Sequence, residues 1–294
     1  MSTADPVAVV APASTGLGKR RTQLIHRIVA YGVLFTGSAF ILAPLVWMLS
    51  TSLKTRSQVF RFPPEWIPEQ FLWRNYVEAL TLLPFEIFLL NTVIITVLSV
   101  AGELVSSAVV AYSFARLRWP ARNTLFIVVL AAMMLPRQVT LIPTFILFTR
   151  VFGWKDTFYP LIVPSFFAVP FFVFLLRQFY MTLPFELDDA ATIDGCSKFG
   201  VFLRILLPLS KPALAAVAIF SFQFHWNDFF YPLIYLFDKD KFTLALGLRF
   251  FQGNYGTDWH YLMAASLVAM LPVILVFFFA QRIFIQGVVY QGFK

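Results

Sequence analysis

Apolar residues in this chain gather into long blocks separated by shorter polar segments. The first block, Ile28 to Leu53, carries no charge. It exceeds the roughly 20 residues that span a bilayer as a helix and is too long for the core of a cleaved signal peptide, so it reads as an uncleaved span. The blocks together predict six spans, at about 28–50, 87–115, 123–145, 158–178, 212–236 and 260–282. Glu103 interrupts the second span and Asp228 lies within the fifth. The third is less clean, because Arg137 follows Pro136 where apolar residues should continue. Residues 1–27, rich in Ala, Pro, Ser, Thr and Gly before a basic cluster, read as a disordered cytoplasmic tail. The remainder, 28–294, reads as one all-α membrane domain.

Composition strengthens this picture. Of the 294 residues, 59% are hydrophobic and 13% charged, against about 45–50% and about 25% for a soluble domain. Mean hydropathy is +0.76. One water-soluble core cannot hide so much apolar surface. The net charge of +8 is scattered between apolar blocks, which argues against nucleic acid as a partner. Cys196 is the single cysteine, so an internal disulfide and a cysteine-based metal site are both excluded. The short segment Arg116–Arg122 is purely basic, whereas the long segments 54–86 and 238–258 hold many acids. The bias of Lys and Arg toward short cytoplasmic loops then places both termini inside.

The segment 182–211, between spans four and five, has signals of its own. Pro184 suits the first turn of a helix, and Glu186, Asp188 and Asp189 follow near its positive end. Gly195 can end that helix and Ser197 can cap a second. Phe199, Phe202, Leu203 and Leu206 then follow the spacing of one apolar helix face, and Pro208 is expected to stop it. A cytoplasmic helix–turn–helix results. Its small residues Ala190, Ala191 and Gly195 leave room for another protein's backbone, and its acids can accept hydrogen bonds from a partner's Arg.

The series Asp189-Ala190-Ala191, three residues, Gly195, nine residues, Ile205-x-Leu207-Pro208 closely resembles the loop motif of ABC importer permeases, the binding-protein-dependent inner-membrane components. The family writes Glu where this chain has Asp189, which keeps the charge on a shorter arm. Ala191 to Gly195, Asn75-Tyr76, Asn91-Thr92, Ala111 to Arg116, Trp226-Asn227 and the closing Gly287…Gly292-x-Lys294 resemble the carbohydrate, maltose-transporter-like branch. The resemblance implies a bacterial or archaeal plasma-membrane permease that imports a sugar. It implies a second permease subunit, two ATP-binding subunits and an extracytoplasmic solute-binding protein as partners. ATP and Mg would be used by the ATPase, with no cofactor, metal or catalytic residue in this chain. Asp189, Ala190, Ala191, Asp194, Gly195, Ile205, Leu207 and Pro208 would form the loop that engages the ATPase.

Other residues read two ways. Asp228 and Glu103 are acids in apolar surroundings, which either line a solute pathway or bond neighbouring helices. Trp226 and Asn227, beside His225, suit a sugar's faces and hydroxyls, or belong to an interfacial aromatic belt. Arg137 either faces a central cavity or reaches to the interface. Gly16 to Arg20 lacks the first Gly and the Ser or Thr of a phosphate loop, so nucleotide binding is not expected here. The same architecture importing glycerol phosphate, and a passive channel or scaffold without ATPase partners, are the alternatives.

Overall fold

The computed structural model describes residues 16–136, 138–253 and 256–289. Arg137, residues 1–15, Gly292 and Lys294 lie outside them. The described residues are mostly helical, with a two-residue antiparallel ladder, Gln252–Gly253 with Gly256–Thr257. Among the described residues, four helical stretches are long and apolar enough to cross a membrane: Gln23–Ser52, Phe85–Arg116, Tyr159–Thr182 and Trp259–Gln281. A fifth arises if Lys198–Leu209 and Lys211–Trp226, bent by 76° at Ser210, are taken as one span.

Helix α1 (Gly16–Ser52) begins well before the expected start at residue 28, so residues 16–27, read from sequence as tail, are helical. Its apolar side chains, such as Phe35 and Phe40, are exposed within this chain. After it, Asn75 on α2 (Arg74–Thr81) donates to the carbonyls of Ser52 and Lys54 at 2.8 and 2.9 Å. That contact folds the chain back. Helix α3 (Phe85–Arg116) is the central element. It packs on α7 (Pro170–Thr182) and on α10 (Lys211–Trp226).

Residues 123–145, expected as one span, form two short apolar helices instead. These are α4 (Arg122–Ala132) and α5 (Leu141–Ile146), the latter continued by a π turn through Val151. Pro136 explains the break, since proline has no N–H and disfavours helical geometry at the residue before it. The fourth apolar stretch is also bent. It comprises α6 (Tyr159–Ile162), a 3₁₀ turn through Phe166 and then α7. Ser106 of α3 clamps the bend: its hydroxyl donates to Gly102 O (2.7 Å) and accepts the Ala168 N–H (3.1 Å).

After α7 come α8 (Glu186–Ile193), α9 (Lys198–Val201, continued by a π turn and Leu207–Leu209), α10, α11 (Phe230–Tyr235), α12 (Leu244–Gly247) and α13 (Trp259–Val289). Asn91 and Thr92 of α3 tie down the segment before α12. Asn91 donates to Asp240 O and Phe242 O, and Thr92 accepts the Leu244 N–H. Gly247 of α12 lies against the ring of Phe88, which is buried. A methyl group at Gly247 would overlap that ring, so Gly247→Ala is expected to destabilise the fold by about 1–3 kcal/mol. Loss of monodisperse protein in detergent at a lower temperature than wild type is the measurement.

Candidate functional site

Two sites emerge, at opposite parts of α3. At its C-terminal end sits a two-helix knob, α8 and α9. Glu186, Asp188 and Asp189 occupy the first turn of α8, where the helix dipole favours acids. The helix closes with a Schellman motif: Cys196 N–H donates to Ala191 O (2.8 Å) and Gly195 N–H to Thr192 O (3.1 Å), with Gly195 at φ +80°. Ser197 Oγ accepts the Gly200 N–H at 3.1 Å and caps α9.

The knob's faces differ from the sequence expectation in three respects. Ala191 points into the core, so of the pair of small residues only Ala190 is presented outward. Asp189, Asp194 and Gly195 are exposed, whereas Asp188 is buried, with Oδ2 at 3.6 Å from Arg116 Nη1. Burial pushes the Asp188 carboxyl above the usual carboxylate range, and Arg116 opposes that shift. On α9, Val201, Phe202 and Leu206 are buried while Phe199 and Leu203 are exposed. Phe199 and Val201 precede the π turn Phe202–Leu206, so the buried face is set by packing, with Phe202 against the Tyr112 ring of α3 and Val201 and Leu206 in the same core. Ile205 and Leu207 are half-buried against the same core, and Pro208 is exposed.

Pro208 does not stop the helix, which runs to Leu209. The break comes at Ser210, whose hydroxyl donates to Leu206 O (2.8 Å) and Leu207 O (3.0 Å). Ile193 stands 85% exposed at the outer end of α8. Sequence reading passed over it; a large apolar residue beside the motif's acids was the available signal.

The second site is a cavity of about 250 Å³ further along α3. Glu103 of α3 and His225 of α10 form a polar contact in its wall. Their side chains are each 8% exposed, with Glu103 Oε1 at 3.1 Å from His225 Nε2. Thr140, Thr144, Ser165, Tyr231 and Thr243 contribute hydroxyls, and Phe148 and Phe224 contribute ring faces. Asp228 also lines the cavity, and it sits in the break between α10 and α11 rather than inside a helix. Its Oδ1 accepts the N–H groups of Phe230 (3.0 Å) and Tyr231 (3.2 Å). The structure thus brings Glu103 and Asp228 to one cavity and adds His225. Trp226 does not join them: it is buried, with Nε1 donating to Ala269 O (3.0 Å), and ties α10 to α13. Nor does Asn227, which is exposed and bonds back to Gln223 O.

Apolar helices long enough to span a bilayer, a cavity lined by both apolar and polar side chains, and a two-helix knob are the features of a membrane protein with an internal pathway. The profile of the binding-protein-dependent transport system inner membrane component family matches residues 104–290, and the chain belongs to that family. It is therefore a permease subunit of an ABC importer. The arabinooligosaccharide transport system permease protein AraQ of Bacillus subtilis is 35% identical, covering 87% of this chain and 92% of its own. The diacetylchitobiose uptake system permease protein NgcG of Streptomyces coelicolor is 33% identical over 90% of this chain and 87% of its own. The sn-glycerol-3-phosphate transport system permease protein UgpE of Pectobacterium atrosepticum is 33% identical over 89% and 95%. Among solved structures, a bacterial ABC transporter involved in alginate import has a chain with TM-score 0.76 and 21% identity. The match covers 97% of this chain and all of that one.

Proposed function

We propose that this subunit forms half of a translocation pathway for a sugar, driven by ATP hydrolysis in partner subunits. The observation that carries the reading is the knob: two capped helices whose outward face offers Asp189, Ala190 and Ile193. Small and acidic residues on a rigid, convex element suit a groove lined by backbone and Arg. On this reading the knob is cytoplasmic and both termini lie inside. Besides the four long spans, α10 continued by α11 supplies a fifth crossing, and the pair α4 and α5 a sixth. A second permease completes the pathway, two ATPase subunits bind ATP and Mg, and an extracytoplasmic binding protein delivers the solute. A groove-fitting knob has no use in a passive channel.

Cysteine crosslinking tests the docking. Because Ala191 faces inward, the reporter belongs at Ile193 or Ala190. Ile193→Cys is expected to crosslink to the ATPase subunit in at least one nucleotide state, and its absence in all states would remove the basis of the reading.

For the solute, the relatives named for arabinooligosaccharides and diacetylchitobiose support a sugar, as do the cavity's hydroxyls and ring faces. The relative named for glycerol phosphate supports a second reading. Competition separates them. Neutral oligosaccharides should inhibit uptake by the intact importer, and sn-glycerol 3-phosphate should not; the reverse result selects the second reading.

A further inference from the structure

We propose that the last turns of α3 are the joint through which movement of the knob reaches the membrane-embedded helices, with Arg116 as the positioning residue. This rests on the reading of the knob as a docking element. The Arg116 side chain is only 1% exposed. A buried guanidinium is costly unless it is paired and hydrogen-bonded, and here its partners all come from residues 180–188. Nη2 donates to Tyr180 O and Leu183 O, both at 2.7 Å, where α7 ends. The guanidinium carbon lies 4.2 Å from the centre of the Phe185 ring, and Asp188 approaches Nη1 at 3.6 Å. One turn earlier, Tyr112 OH donates to Lys198 O at 2.7 Å, so the same helix end also holds α9.

The grip is not saturated. Arg116 Nε and Nη1 and Asp188 Oδ1 make no hydrogen bond among the described residues. Closer approach of Asp188 to Arg116 would satisfy these atoms, and a packed joint that moves between discrete arrangements switches rather than deforms. From Arg116, α3 continues without Gly or Pro back to Glu103, a distance of about 20 Å at the helical rise. There it meets His225 at the cavity. The same helix thus touches the knob at its C-terminal end and the candidate pathway near its middle. Lysine could reach the two carbonyls but not the whole set, because only the planar guanidinium can hold both through Nη2 while lying against the Phe185 ring and turning Nη1 toward Asp188.

The test uses the complete importer in proteoliposomes, with Cys196→Ser as background. Two reporters are placed separately. Ile193→Cys reads crosslinking to the ATPase subunit. Leu82→Cys, exposed just before α3 begins, reads the change in maleimide reactivity caused by ATP with vanadate. For Arg116→Met we expect crosslinking and ATP hydrolysis within about twofold of wild type, while the reactivity change at position 82 falls at least about tenfold. Arg116→Lys and Asp188→Asn should fall between. An undiminished change at position 82 in Arg116→Met, with hydrolysis retained, would overturn the proposal. So would a proportional fall of crosslinking, hydrolysis and reactivity change in every variant, which marks a residue needed only for folding. If Arg116→Met does not insert, Arg116→Lys and Asp188→Asn decide by the same measures. Failure of the unaltered Arg116 protein to crosslink from position 193 overturns the docking reading instead.

Discussion

Glu103→Leu is expected to reduce solute uptake by the importer more than any other single change, by about tenfold to a hundredfold. Leucine fills similar space but leaves the enclosed His225 ring without its Glu103 partner. An unsatisfied buried polar group costs about 1–3 kcal/mol. If the pair contacts the solute, the loss appears as a raised KM for uptake with normal membrane insertion. If the pair only joins α3 to α10, the loss appears as lower yield and thermal stability, with KM unchanged in the protein that survives. Glu103→Gln separates the two further. It keeps a hydrogen-bonding oxygen for His225 but removes the charge, so it should restore insertion and retain part of the KM effect. Steady-state uptake kinetics alongside detergent stability measurements distinguish these outcomes.

The second large effect is expected at Gly195. Its φ of +80° is left-handed, and the space beside it is open: nothing lies within 4 Å of where a Cβ would stand. The penalty for a side chain there is therefore backbone strain, about 1–2 kcal/mol for an ordinary residue and more for a β-branched one. Gly195→Val should open the Schellman closure and turn α9 relative to α8, cutting ATP-driven uptake at least about tenfold while leaving the rest of the bundle intact. Gly195→Asn is the control. Asparagine visits left-handed geometry readily, so it should retain most uptake if conformation is what matters. If Asn is as damaging as Val, close approach of a partner backbone is the governing constraint at this position. Uptake measured with equal amounts of inserted protein reads the comparison.

Much of the knob was legible because its signals are local. Gly195 as a C-terminal breaker and Ser197 as a cap depend on a few residues each, and the structure places the helix end and the cap at those positions. The faces were not legible. The expected apolar set was Phe199, Phe202, Leu203 and Leu206, but packing against the core puts Val201, Phe202 and Leu206 inside and leaves Phe199 and Leu203 exposed. Trp226 beside Asn227 reads either as a sugar-facing cluster or as part of an interfacial belt, yet its indole donates to Ala269 O of α13. Which way a side chain projects from a uniformly apolar helix is set by its neighbours, and a helix that is hydrophobic on all sides gives no periodic cue.

The amino-acid sequence alone determined that this chain belongs in lipid. That conclusion follows from total apolar content and block length, which no folding detail alters. It also located the loop that departs from membrane-helix character, because caps and breakers act within a few residues. Only the tertiary structure decided that Asp188 rather than Asp189 faces Arg116, and that Glu103 meets His225 from 122 residues away. Those pairings depend on how α3 packs against α7, α8 and α10, and contacts between distant segments arise from packing geometry rather than from local spacing.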